Sequence, residues 1–129
     1  MEIKNGSWLP FINDYKILAR VKKVIVVYIE DTDVAGMYDD DIIVVNVAPN
    51  VLAEISGRYG LKPHQLERTA LSVFMEECVH SQGVDDEEKA VVVATVLSSA
   101  IPDKYLMENS GIARYTNRLL HGEVEPIAI

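Results

Sequence analysis

The segment that decides the fold reads FMEECVHSQG at residues 74–83, and DDEEKA follows it at residues 85–90. At about 100° of rotation per residue, a helix over this segment places Glu76, Glu77 and His80 within a wedge of roughly 100°. Apolar side chains occupy most of the remaining circumference, which is typical of a helix enclosed by other elements. Two carboxylates and an imidazole on such a helix need partners, because burying an unpaired charge is costly.

A divalent metal ion is one partner that would satisfy these groups. Residues i and i+4 project from the same face of a helix, so Glu76 and His80 could bind one ion together. Glu77 lies next to them and could activate a water molecule held at the ion. A glycine turn after the helix sends the chain back past this face, and the next helix carries Glu87 and Glu88 in its first turn.

This arrangement resembles the minimal gluzincin core of the zincin metallopeptidases, especially the ImmA/IrrE type. In that type an HExxH helix is followed by a helix that reads roughly ExxAxxxA. Glu87, Ala90 and Ala94 match the second pattern. The resemblance covers about residues 21–102, including the hairpin residues before the metal helix. It departs from the family at Glu76, which stands where the first ligand histidine belongs.

The resemblance implies a metal ion held by Glu76, His80 and Glu87, with Glu88 as the alternative third ligand and Glu77 as general base. Zinc is the expected ion, although a carboxylate ligand makes iron or manganese comparable candidates. Two carboxylate ligands also donate more charge and lower the Lewis acidity of the ion. Two functions stay open. One is a metal-dependent hydrolase of the peptidase type, and the other is a catalytically inactive zincin-like module, with or without metal, that binds another protein.

Residue patterns along the chain predict an α+β fold in one domain over residues 1–129. The helical spacing of apolar residues predicts an N-terminal helix at about residues 8–20. Runs of β-branched residues predict a small antiparallel or mixed sheet of about three strands, two of them in a hairpin. The predicted strands cover residues 21–30, 34–38 and 42–47. Helices are predicted at about residues 49–57, 63–82, 87–101 and 103–122, the last of them interrupted near Ser110 and Gly111, and a loose tail is expected from Glu123.

Composition restricts the partners and the compartment. The net charge of −8 disfavours a nucleic-acid partner, and no basic stripe offsets it. One cysteine, Cys78, forms no internal disulfide, and no apolar run is long enough to span a membrane, so a cytoplasmic protein is expected. The resemblance implies a peptide or protein as substrate or partner. The oligomeric state is not predicted.

Other candidate residues have simpler interpretations. Cys78 points about 160° away from His80 on the same helix and is interpreted as a buried structural thiol. His121 lies at the end of the last predicted helix and is interpreted as a capping or surface residue. Without a metal ion, several carboxylates close together would repel one another, and the pKa of one of them is expected to rise.

Overall fold

The computed structural model describes residues 2–3, 21 and 23–123. Within these residues the fold is α+β, as the sequence predicts. The strands are β1 (Glu2–Ile3), β2 (Lys23–Val27), β3 (Gly36–Asp39) and β4 (Ile42–Asn46). The helices are α1 (Pro49–Ile55), α2 (Leu66–Ser81), α3 (Glu87–Ser99), α4 (Leu106–Asn109) and α5 (Gly111–Leu120), and 3₁₀ turns occupy Ser56–Tyr59 and Asp103–Tyr105. The predicted N-terminal helix at residues 8–20 lies outside the described residues.

The sheet is mixed, and its strand order is β1-β2-β4-β3. β1 is antiparallel to β2, β2 is parallel to β4, and β3 is antiparallel to β4. The predicted hairpin is therefore confirmed, and its two-residue turn is formed by Asp40 and Asp41, with φ of 49° and 62°. A tight hairpin turn favours positive φ because its twist then matches that of the strands, and aspartate tolerates this conformation. β1 adds a fourth strand, which is too short to show any periodic pattern.

One face of the sheet packs against α2. Val24 and Val26 of β2 and Ile43 and Val45 of β4 are fully buried, whereas the residues that precede each of them are partly exposed, and the last residue of each strand is also buried. This period of two is expected of strands with one face on the core. The buried residues form an apolar sheet surface, and α2 packs against the sheet through contacts with β3 and β4.

Helix α2 runs through the centre of the described structure. It contacts α1, α3, α5 and the sheet, and all its residues except Leu66, Glu67 and His80 are buried. The prediction of an enclosed helix is confirmed. Its start differs from the prediction, because Pro63 lies in a turn before the helix. In this turn the Lys62 amide donates a hydrogen bond to the Gln65 side chain at 2.8 Å. The helix therefore begins at Leu66.

Asn46 fixes the loop that enters β3. Its side-chain oxygen accepts from the Ile29 amide at 3.0 Å and the Ala48 amide at 3.2 Å. Its side-chain nitrogen donates to the carbonyls of Ile29 and Val34, at 2.8 and 3.1 Å. A buried amide with four hydrogen bonds is fully satisfied, and it locks the backbone on both sides of it. The hydrogen bond to Val34 therefore also holds the loop beside the candidate site.

Helix α3 returns along α2 and contains the valine run at residues 91–93, which propensity alone would also allow in a strand. Asp86 caps its start, because its side chain accepts from the Lys89 amide at 3.0 Å. Buried Arg68 of α2 holds its other end by donating to the carbonyls of Ser98 and Ile101. The helix predicted at residues 87–101 is confirmed, and it ends slightly earlier, at Ser99.

No single helix among the described residues is long and apolar enough to cross a membrane. The pair Glu87–Ser99 and Asp103–Asn109 reaches that length and composition together, but the two segments are bent by 78°.

Candidate metal centre

The candidate centre forms where the last turn of α2 meets the first turn of α3. Glu76, Glu77 and His80 lie on α2, and Glu87 is the first residue of α3. The connection between the helices turns sharply at Gly83, whose φ of 91° is readily adopted only by glycine. This short reversal brings the Glu87 carboxylate back to the imidazole of His80, as the sequence predicts.

Glu76, His80 and Glu87 form a group that could hold a metal ion. Each offers one ligand atom, and these atoms all lie within 4.8 Å of one another. Nε2 of His80 is 3.5 Å from Oε2 of Glu76 and 3.3 Å from Oε1 of Glu87. Ligands about 2.0–2.2 Å from a tetrahedral ion are separated by about 3.3–3.6 Å. Both distances to the imidazole therefore suit a shared ion.

The orientation of the His80 ring leaves Nε2 available to the two carboxylates. Nδ1 lies 2.7 Å from the carbonyl oxygen of Val84. A carbonyl only accepts hydrogen bonds, so Nδ1 carries the proton and donates. A hydrogen bond of this kind from the other ring nitrogen is the usual way in which proteins orient a metal-binding histidine.

The pKa of His80 is raised by its surroundings. Burial acts to lower it, but the hydrogen bond to Val84 and the negative charges of Glu77, Glu87 and Glu76 outweigh that effect. Without a metal ion, the imidazole is therefore held in its protonated form to a higher pH than a free histidine. A cation at Nε2 would replace that proton.

Glu77 is a buried carboxyl beside the three candidate ligands. Burial, and then the charge of Glu76, raise its pKa to about 7, and Glu87 adds to the effect. His80 and Arg58 act in the opposite direction. The raised pKa that the sequence predicts for one of the clustered carboxylates is thus found at Glu77. A carboxyl that titrates near neutral pH is suited to accept and return a proton.

Two further residues of the site, Arg58 and Tyr59, were not predicted from the sequence. The Tyr59 hydroxyl donates to Oε1 of Glu76 at 2.6 Å, and burial, followed by this hydrogen bond, raises the pKa of Tyr59. Nη2 of Arg58 lies 3.3 Å from Oε1 of Glu76 and 3.7 Å from Oε2 of Glu87. Both residues belong to the 3₁₀ turn, with Arg58 18 and Tyr59 17 positions before Glu76. No local sequence pattern predicts that they contact Glu76.

A cavity of about 220 Å³ opens onto these groups. Its walls come from α2, the 3₁₀ turn, Glu87 and the loop at residues 33–36 that leads into β3. Gly36 passes so close to α2 that an added Cβ would lie 2.6 Å from Cγ1 of Val73 and 3.0 Å from Oε2 of Glu77. The absence of a side chain at Gly36 therefore lets the edge strand reach the carboxylate.

The remaining candidates lie outside the group of three ligands. Glu88 is exposed and lines an adjoining surface depression together with Arg58, Glu87, Val91 and Val92. Cys78 is fully buried, and burial raises the pKa of its thiol well above the usual value. His121 is exposed and its Nδ1 donates to the Asn117 carbonyl at 2.7 Å. The structure therefore favours Glu87 over Glu88 as the third ligand.

Comparison of the chain with protein-family models, with curated proteins and with solved structures gave no match.

Proposed function

We propose that this protein is a small metal-dependent hydrolase of the peptidase type, similar in its site to a zincin. Glu76, His80 and Glu87 would hold the ion, with zinc as the expected metal. The observation that carries the proposal is the convergence of these three ligands within 4.8 Å, with a hydrogen-bonded imidazole and a buried glutamate beside them. A metal site requires several ligand atoms that converge on one point.

The chemistry follows from the positions of the chain's own groups. A bound divalent cation supplies a Lewis acid that polarises a substrate carbonyl. Glu77 accepts a proton from the attacking water and returns it to the leaving group, a role for which a pKa near neutral is suited. Val84 keeps the His80 ring oriented, and Tyr59 keeps the Glu76 carboxylate oriented. The loop at residues 33–36 and the 3₁₀ turn limit the cavity to a small part of a substrate.

The alternative function is a catalytically inactive module of the same fold that binds another protein. One observation favours it, because Glu76 already has partners without a metal ion. Its carboxylate accepts a hydrogen bond from the Tyr59 hydroxyl and forms an ion pair with the Arg58 guanidinium. A buried carboxylate satisfied in this way does not need a cation for stability.

The two functions are separated by a cleavage assay with a matched variant. Zinc-loaded protein is incubated with a mixed peptide library, and new peptide termini are identified by mass spectrometry. We expect cleavage by the native protein and none by Glu77→Gln, which keeps the three ligands and removes only the base. If both bind zinc and neither cleaves any peptide, the inactive module is correct.

A further inference from the structure

The candidate metal centre has a guanidinium beside its carboxylates. Of the described residues that line the cavity, Arg58 alone carries a fixed positive charge. Its Nη2 approaches Oε1 of Glu76 at 3.3 Å and Oε2 at 3.4 Å, and it reaches Glu87 at 3.7 Å. The guanidinium also lies over the Tyr59 ring, with Cζ 5.7 Å from the centroid. These contacts hold it beside both candidate carboxylate ligands.

The carboxylate oxygens of Glu76 and Glu87 contact His80 and also Tyr59 or Arg58. On Glu76, Oε2 lies towards His80 and Oε1 accepts from Tyr59, while Arg58 spans both. On Glu87, Oε1 lies towards His80 and Oε2 lies towards Arg58. Glu87 therefore keeps one oxygen facing the imidazole and the other facing the guanidinium. On Glu76, Oε2 lies close to both His80, at 3.5 Å, and Arg58, at 3.4 Å, so the guanidinium charge acts directly on the oxygen that would bind the ion.

With Glu77 ionised, the charges of the three glutamates and a divalent cation balance when Arg58 is counted. Glu76, Glu77 and Glu87 carry three negative charges when ionised, and Arg58 reduces the excess to two. That excess matches one divalent cation with a neutral imidazole. With histidine at position 76 the carboxylates alone would match the cation, and Arg58 would leave a surplus positive charge.

We propose that Arg58 is the compensating cation that lets a glutamate serve at the first ligand position, so that Glu76 and Arg58 act together as one neutral ligand. This inference rests on the proposed metal site. Arg58 is a positioning residue here, since it acts on the ion through Glu76. Outer contacts of this kind commonly contribute about 10–100-fold to metal affinity.

A different role for Arg58 would reverse the effect that its removal has on metal affinity in the native protein. If the guanidinium merely occupied the site until a metal ion displaced it, its removal would tighten metal binding whatever residue stood at position 76. If it compensates for Glu76, its removal weakens binding in the native protein and tightens binding when residue 76 is histidine. The identity of residue 76 therefore decides the sign of the effect.

The test measures zinc affinity by isothermal titration calorimetry with zinc chloride. The proteins are native, Arg58→Gln, Glu76→His and the charge-conserving double variant. We expect Arg58→Gln to weaken binding about tenfold in the native background and to tighten it about tenfold in the Glu76→His background. Arg58→Lys should recover most of the loss in the native background, because it restores the charge. Melting curves in excess chelator control for folding.

The outcomes separate this inference from the function on which it depends. A tightening of similar size in both backgrounds would show that Arg58 is only a competing cation, and the proposed function would stand. An absence of zinc binding in all four proteins would remove both. If the histidine variants fail to fold, the native and Arg58→Gln pair still decides, since tighter binding by Arg58→Gln would overturn the inference.

Discussion

The Tyr59 hydroxyl lies 2.6 Å from Oε1 of Glu76 and donates to it a shorter hydrogen bond than the Arg58 guanidinium, which lies 3.3 Å from the same oxygen. Both side chains are buried, with exposed fractions of 4% for each residue. Tyr59→Phe keeps the packing and leaves this oxygen with only its longer contact to Arg58, at 3.3 Å. We expect the variant to lose about 1–3 kcal/mol of stability, measured by urea unfolding in chelator, because a buried acceptor loses its shorter hydrogen bond.

The same substitution tests whether Tyr59 orients a ligand. Tyr59→Phe should also weaken zinc binding by about tenfold, since a partner of a ligand contributes on that scale. Tyr105→Phe is a matched control, because that tyrosine is exposed and lies outside the cavity. Equal zinc affinity for native protein and Tyr59→Phe would mean that Glu76 does not need its hydroxyl partner to bind.

Stability of the metal-free protein should fall as the pH rises. Glu77 has a pKa of about 7 in the folded protein against an ordinary value of 4.5, and the pKa of His80 is raised as well. A group with a raised native pKa stabilises the fold below its unfolded value and loses that contribution as the pH rises through the native value. For Glu77 the loss spans about pH 4.5 to 7, and for His80 it continues above pH 6.5.

A metal ion replaces the protons in this cluster, so it should stabilise the protein more at higher pH. We expect the difference in melting temperature between zinc-loaded and chelated protein to widen steadily from pH 5 to pH 8. The groups that face Glu77 and set this behaviour are Glu76, His80, Glu87 and Arg58. A difference that is constant across this range would be inconsistent with proton displacement.

Removal of the Glu77 charge should stabilise the metal-free fold. Glu77→Gln replaces a buried carboxylate with a neutral group of the same shape. At pH 8 we expect the chelated variant to be more stable than native protein by about 3 kcal/mol, since the carboxyl of Glu77 has a pKa of about 7 in the fold against an ordinary value of 4.5. Urea unfolding at pH 5 and pH 8 measures this gain. A gain of equal size at both pH values would show that ionisation of Glu77 is not its cause.

The close approach of Gly36 to α2 gives a steric prediction. An alanine Cβ there would lie 2.6 Å from buried Val73, so β3 or α2 must shift, and overpacking of this kind costs about 1–3 kcal/mol. Gly57→Ala is the matched control, because nothing lies within 4 Å of its added Cβ. Thermal melts and zinc titrations should show losses for Gly36→Ala alone. Equal effects of the two substitutions would contradict the close approach.

The part of the site that was predictable from the sequence is the part set by local geometry. Helical spacing places Glu76 and His80 on one face, and the glycine turn returns Glu87 to it after a short connection. The charges in the first turn of α3 were also interpretable, since acidic residues suit a helix start. The choice between Glu87 and Glu88 needed the structure, because adjacent residues of a helix differ by about 100° in direction.

Contacts between distant segments could not be predicted in this way. Arg58 and Tyr59 meet Glu76 because α1 and its 3₁₀ turn pack against α2 and α3. That packing depends on how the apolar faces fit together, and the sequence of the turn itself carries no sign of it. The strand β1 was missed for a related reason, since two residues form a strand only through their pairing with β2.

The most direct test of the central claim is zinc titration of native protein, Glu87→Gln and Glu88→Gln by calorimetry. The two substitutions remove the same charge from adjacent residues, but only Glu87 belongs to the group of three ligands. We predict one zinc ion per chain for native protein and for Glu88→Gln, and at least a tenfold loss of affinity for Glu87→Gln. Equal affinity in all three proteins, or no binding by native protein, would contradict a metal centre at Glu76, His80 and Glu87.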